Sequence, residues 1–397
     1  MTRKRGQFTA EQEWLLRAAL LDGREAVQAW QLWAAGVSPD HLDPGSYHLL
    51  PLVYDKLRAC GVDHPMMGRL KGTQRYTWYE NHIRLKRLAE VLRALQDAGI
   101  ETMLLKGAAL VLLFYRNPGL RTMRDFDVLV PPEQYLAAAG VIEKLGWTLR
   151  FPCPKEALAE YLPTRHANAF LDQSGSECDL HMHIFPECRG GHADDDLWES
   201  SRTQSVHGVK TRVLSPADTL LHVCAHGARS GAESALRQVA DAMTILNSSP
   251  DLDWERLLLQ ANKRRLALPV KHMLEHLRDL FQAPIPPQIL ETLDRRSPSL
   301  VERIEHALKK HSAPPLHLRI LQRWFQYRHY LHSPGGADLR GNPVGFARFL
   351  QRFWGLPRLR QIPLAALVKL IRRLRNNEPR DAGMYERRPG RDGDRPL

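Results

Sequence analysis

Cysteine is scarce. The 397 residues hold five, Cys60, Cys153, Cys178, Cys188 and Cys224. They form no Cys-x-x-Cys pair and their number is odd, which argues against a disulfide framework; buried or free thiols in a reducing compartment are expected. Long apolar runs are missing too. None approaches a membrane span, and the opening MTRKRGQFTAEQEW has no apolar signal region, so a cytoplasmic protein is expected. There is no internal repeat and no Walker-A glycine loop, which sets aside solenoids and P-loop nucleotide binding. The first 300 residues lack a charge imbalance, with 36 Lys/Arg against 36 Asp/Glu. The net charge of +12 therefore falls on residues 301–397, with 20 Lys/Arg against 8 Asp/Glu. An anionic partner for that quarter and a merely solubilising basic region are both open.

What is present is a chain long enough for two or three compact units, with 43% hydrophobic residues to fill their cores. The informative stretch is ETMLLKGAALVLLFYRNPGLRTMRDFDVLV, residues 101–130. Thr102 to Leu105 reads as a short strand ending at Lys106-Gly107, and Ala108 to Phe114 as a helix. Asn117-Pro118-Gly119 breaks the chain, and Asp125 to Val130 reads as a buried strand. Asp125 and Asp127, two apart on that strand, leave the same face. Adjacent carboxylates repel unless a cation, a basic side chain or a proton lies between them. The Lys106-Gly107 turn places backbone N–H groups near the same rim. Carboxylates facing an anion-binding turn suit a metal–nucleotide; solvated residues at a strand start are the plain alternative.

This order of parts resembles the nucleotidyltransferase superfamily that includes DNA polymerase beta. LLKGAALVLLFYRNPGLRTMRDFDVLV looks most like the bacterial group called uncharacterised nucleotidyltransferases, and less closely like the nucleotidyltransferase toxins of abortive-infection systems. The chain has Gly107-Ala108 where the superfamily has Gly-Ser, so no hydroxyl stands at 108, and the gap from Gly107 to Asp125 is long. Lys106 and Arg121 are candidates to compensate. His48-Leu49-Leu50-Pro51-Leu52 and the helices between about 215 and 281 extend the resemblance over roughly residues 10–290.

A second stretch, ECDLHMHI, alternates. Glu177, Asp179, His181 and His183 face one way and Cys178, Leu180, Met182 and Ile184 the other. It is the return arm of a hairpin whose first arm is Asn168 to Asp172. The resemblance places the third superfamily carboxylate at Asp179, beside the Asp-x-Asp strand. His181 is then a residue that bonds Asp179, contacts phosphate, or rims the cleft.

Elsewhere the pattern is helical. Thr9 caps a helix running to about Ala35, and Leu49 to Leu57 and Met66 to Ala98 read as two more. Tyr76, Trp78 and Tyr79 offer a stacking surface for a base, but division between core and interface is the commoner use and the preferred reading. His222 and His226, four apart on a helix, have a metal-binding spacing without an obvious third ligand. LAALVKLIRRLRNN near the C-terminus suits an anionic membrane or nucleic-acid backbone, or closes a helical bundle with its arginines in water, which is preferred. Residues from Glu378 onward are expected to be disordered.

The expected fold is α/β (α+β): a small mixed-sheet core flanked by N- and C-terminal helical blocks. The expected divisions are a helical block (1–83), the core (84–190), a helical domain packed on it (191–300), a basic helical region (301–375) and a tail (376–397). The resemblance implies Mg2+- or Mn2+-dependent transfer of a nucleoside monophosphate from an NTP to a hydroxyl acceptor, releasing pyrophosphate. It implies Asp125, Asp127 and Asp179 as catalytic and metal-holding residues, and Lys106, Gly107, Arg121 and His181 around the nucleotide. ATP, CTP, GTP and UTP are all open. Other readings are a catalytically silent module of the same fold, a hydrolase using Asp179, His181 and His183 with zinc or manganese, and a nucleic-acid-binding protein driven by the basic quarter.

Overall fold

The computed structural model describes residues 8–37, 41–227, 232–309 and 315–376. The tail expected from Glu378 onward lies outside the described residues. Among the described residues, seven strands form one mixed sheet: β1 (Met103–Leu105), β2 (Asp125–Leu129), β3 (Thr148–Leu149), β4 (Ala167–Leu171), β5 (Glu177–His181), β6 (Arg202–Val206) and β7 (Val209–Val213). Their spatial order is β3-β4-β5-β2-β1-β7-β6. The pairs β2/β5 and β1/β7 are parallel and the rest antiparallel. The mixed α/β architecture is the one expected, with a larger sheet.

Strand alternation divides the two faces of the sheet. Leu104, Phe126, Val128, Phe170, Cys178 and Leu180 enter one core, beneath Leu88, Val91 and Leu95 of the long helix Met67–Asp97 and Tyr135 and Ile142 of Tyr135–Lys144. Met103, Leu105 and Leu129 enter another, shared with helices from both ends of the family-like region, including Leu15, Trp30, Val53, Leu221, Val239 and Val270. The N-terminal helices thus pack against the helices after β7. A smaller aromatic core joins Tyr327, Tyr330, Phe349 and Phe353 in the C-terminal region.

Three helical expectations change. The single helix over Thr9 to Ala35 is two, Ala10–Leu20 and Gly23–Gly36. Thr9 does cap the first, its Oγ1 accepting from the Gln12 N–H at 3.0 Å. The break falls where Gly23 takes a left-handed φ of +55°, a conformation that favours glycine. Tyr76, Trp78 and Tyr79 do not enter the core: they are 59, 48 and 59% exposed. On the last helix, Ile362–Asn376, Leu364 and Leu367 are 64 and 52% exposed, so these two apolar residues do not enter a bundle. The Lys369 ammonium of this helix lies 5.4 Å from the Trp354 ring centre. No helix among the described residues is long and apolar enough to cross a membrane.

Candidate active site

The site begins with the β2/β5 register. Asp127 stands opposite Asp179, and Asp125 opposite Glu177. Because the strands are direct neighbours, the carboxylates of Asp127 and Asp179 leave the same face side by side. Both residues are buried, as is His181. One oxygen each from Asp127 and Asp179 and one nitrogen from His181 all lie within 4.8 Å of one another.

The two Asp127 oxygens differ. Oδ1 accepts from Lys106 Nζ and from His181 Nε2 at 3.0 Å, whereas Oδ2 is buried with no hydrogen-bond partner. Asp179 Oδ2 is likewise buried and without a partner. Burial works to raise the Asp127 pKa, but Lys106 and His181 outweigh it and hold the carboxyl below its usual range. At Asp179 the opposing charge of Lys106 is outweighed. Burial, then the charge of Asp127, pushes it well above the usual range. Burial and Asp127 also raise Asp125, which is half-buried at the start of β2. Glu177, on the same face of β5, is matched by Arg150 at 2.6 Å. Burial lowers His181, so the imidazole is held neutral.

Lys106 reaches Asp127 from the end of β1, where Leu105 pairs with Asp127. Its backbone φ of +45° is left-handed, an uncommon conformation for a residue with a side chain. The helix that follows, Lys106–Leu110, continues as a π-helical turn, Val111–Tyr115. That wide turn delivers Tyr115, whose hydroxyl donates to Asp241 Oδ1 at 2.8 Å. Arg121 donates to the same carboxylate through Nε (2.7 Å) and Nη2 (2.8 Å). Gly107 sits beside this guanidinium: a Cβ there would come within 3.1 Å of Arg121 Nη1. The missing side chain at 107 thus makes room for Arg121.

Asp241 lies on helix Ala232–Ser248, one of the helices over which the resemblance extends. Arg237, one turn earlier on that helix, adds positive charge against Asp125, and Arg124, exposed just before β2, lies close enough to Arg237 for their charges to oppose. Together with Arg121 they bear on His48, whose Nδ1 shares a 2.8 Å hydrogen bond with Thr122 Oγ1. Burial first, then Arg237, Arg124 and Arg121, lowers the His48 pKa to about 2. The unfolded chain takes up this proton below about pH 6.5 while the folded protein does not. Stability is therefore full above pH 6.5 and is lost as pH falls from there toward the folded value. His48→Gln should lose less stability than the parent between pH 7 and pH 5, by up to about 1 kcal/mol per pH unit. Equal losses in urea titrations at the two pH values would remove His48 as the acid-sensitive group.

His183 stands apart. Both its ring nitrogens lack a hydrogen-bond partner, and Nδ1 lies 3.5 Å from Asp194 Oδ2. His183 is not in the Asp127, Asp179, His181 group, so the trio needed by the hydrolase reading is not assembled as one cluster. Of the helical pair, His226 Nδ1 is taken up by Gln238 Nε2 at 2.9 Å, and His222 packs edge-on to Phe185.

Residues 46–282 match the model of a family described as uncharacterised nucleotidyltransferase. No curated protein matches the chain. Six chains of solved structures do. One is the crystal structure of an antigenic nucleotidyltransferase-like protein from Paracoccidioides brasiliensis, 15% identical, matched over 55% of this chain and 95% of that one with a TM-score of 0.33. With well over half of its length under the family model, the chain that carries these paired buried carboxylates belongs to the uncharacterised nucleotidyltransferase family.

Proposed function

We propose that the protein transfers a nucleoside monophosphate from an NTP to a hydroxyl acceptor, with release of pyrophosphate and with Mg2+ or Mn2+ bound at Asp125, Asp127 and Asp179. The observation that carries this reading is the pair of buried, unpartnered oxygens, Asp127 Oδ2 and Asp179 Oδ2, on adjacent strands. Two buried carboxylates facing each other are unfavourable without a positive charge between them. Lys106 and His181 occupy the other oxygen of Asp127. That leaves its Oδ2 in a hard, oxygen-rich donor set that fits a divalent cation better than a soft metal. When bound there, the cation supplies charge neutralisation to the triphosphate and acidifies the acceptor hydroxyl.

The chain's own residues prepare that chemistry. Lys106 and His181 fix the rotamer of Asp127, so the carboxylate is oriented before any ligand arrives. Arg121, locked by Asp241, contributes a fixed positive charge behind Gly107 without spending rotamer entropy on binding. Arg237 extends that charge toward Asp125, where the triphosphate would enter. In the reaction the acceptor oxygen attacks the α-phosphorus, the bond from Pα to the bridging oxygen breaks, and pyrophosphate departs in line.

Incubation with each NTP labelled at the α-phosphate, with Mg2+ or Mn2+ and cell extract, should transfer label to an acceptor and release pyrophosphate. Chelation should stop both. Absence of pyrophosphate release with every NTP and either metal would refute the reading.

A further inference from the structure

The long helix Met67–Asp97 shows two different faces. Inward, Asn81 clasps the loop that leads into Asp125. Its Nδ2 donates to the carbonyls of Pro118 (2.6 Å) and Arg121 (2.7 Å), and its Oδ1 accepts from the Met123 N–H (3.2 Å). Outward, the same turns carry Tyr76, Trp78 and Tyr79, each about half uncovered, with the Trp78 ring lying against His82 at 3.8 Å between ring centres. Three neighbouring aromatic side chains that each keep about half of their surface exposed make a contiguous apolar patch of the kind that marks a contact site. Lys71, Arg75 and Lys86 are exposed on the same half of the helix by its 3.6-residue period. None of these three cations is in an ion pair among the described residues. Glu80, the sole acid between residues 67 and 89, is matched by Arg84 at 2.7 Å.

Rings interleaved with unpaired cations select among partners. A membrane-seeking helix separates an aliphatic face from its charges, and here the two alternate. A second copy of this face would set like charges against each other. A nucleic-acid duplex hides the flat faces of its bases inside the stack. A single strand offers both what the rings need and what the cations need, namely exposed base faces and a phosphate at each step. From Lys71 to Lys86 the helix runs about 23 Å at 1.5 Å per residue, the length of several nucleotides.

We propose that this face is the docking platform for single-stranded nucleic acid, and that the acceptor hydroxyl is the terminal hydroxyl of such a strand. The second half rests on the nucleotidyl-transfer reading, while the first does not. In that reaction the terminal oxygen forms the new bond to the α-phosphorus of the NTP, pyrophosphate leaves with the electrons of the broken Pα–O bond, and the hydroxyl proton passes to solvent. The clasp of Asn81 on the 118–123 loop ties the platform to the strand that bears Asp125 and Asp127.

The test is fluorescence anisotropy on the full chain with labelled 12-nucleotide single-stranded RNA and DNA, without NTP or metal. A duplex of the same sequence and vesicles of anionic phospholipid serve as competitors. Tyr76→Ala/Tyr79→Ala should weaken single-strand binding roughly ten- to hundredfold. Lys71→Ala/Arg75→Ala/Lys86→Ala should lower the slope of log affinity against log salt by about 2, at about 0.7 per lost phosphate contact. Asp127→Asn should bind as the parent does, because the platform does not use the carboxylates. Failure of both multiple variants to weaken binding overturns the platform and assigns the affinity to another surface, such as the basic C-terminal quarter. Absence of single-strand binding, or stronger competition by duplex or vesicles, overturns it as well. Binding without label transfer to the strand's end keeps the platform and overturns the acceptor assignment, whatever becomes of NTP turnover.

Discussion

Asp127→Asn and Asp179→Asn are each expected to reduce nucleotidyl transfer by about a thousandfold or more while leaving the protein folded. Each removes a negative charge from the proposed cation site, and about 4 kcal/mol of lost transition-state stabilisation corresponds to that factor. Their effects on stability should differ. Asp179 is buried and pushed up by burial and by Asp127, so a neutral amide of the same shape relieves repulsion. Asp179→Asn should be as stable as the parent, or more so. Asp127→Asn takes the counter-charge from Lys106 and leaves His181 a weaker, uncharged acceptor, and should be less stable. Activity from single-turnover assays and stability from urea melts separate the two roles. Full activity in either variant would end the carboxylate-pair assignment.

The second large effect lies behind the site. Asp241 accepts two hydrogen bonds from Arg121 and one from Tyr115 in a buried network. Burial works to lower the Arg121 pKa, but Asp241 outweighs it and keeps the guanidinium firmly charged. Removing one partner leaves an uncompensated charge out of water, so Asp241→Ala should destabilise by about 3–5 kcal/mol. Arg121→Met/Asp241→Leu, which removes both charges, should recover most of that loss. It should not recover activity, because the fixed positive charge behind Gly107 is gone. A double variant no more stable than Asp241→Ala would show that shape, and not charge, dominates this contact.

How much of this could be read beforehand follows the range of the interactions. The Asp125/Asp127 face and the alternation of Glu177 to His181 are properties of a two-residue period and are legible locally. So is the Thr9 cap. The Asp22-Gly23 break carried a turn signal, yet apolar stripes on both sides continued the helical pattern across it. Exposure of Tyr76 and Tyr79 was not legible, because a helix's own period does not say which of its faces meets a neighbour. Arg121 stood out as a charge, but its partner lies 120 residues downstream. Asp241 lies on a helix that the resemblance already placed beside the core, but its pairing with Arg121 is long-range and has no local signal. The π-helical turn that turns Tyr115 toward Asp241 was hidden too, since VLLFY reads equally well as an ordinary helix.

The place of β1 in the sheet has a consequence for biosynthesis. β1 lies between β2, which follows it closely, and β7, which pairs with it in parallel. The hydroxyls of Thr102 and Thr211, bonded at 2.8 Å where these strands meet, are 109 residues apart in sequence. At about 5–20 residues per second a ribosome needs roughly 5–20 s to cover that distance. Throughout it, the apolar Met103-Leu104-Leu105 segment has one edge without a strand to pair with, the situation that invites association with other nascent chains. The N-terminal helices wait longer, since Leu15 and Trp30 share their core with Val239 and Val270. The β1 edge and the core beneath it are therefore completed only after β7 and the helices beyond it have been made, and slower translation between β2 and β7 is expected to lower the share of chains that reach the native state.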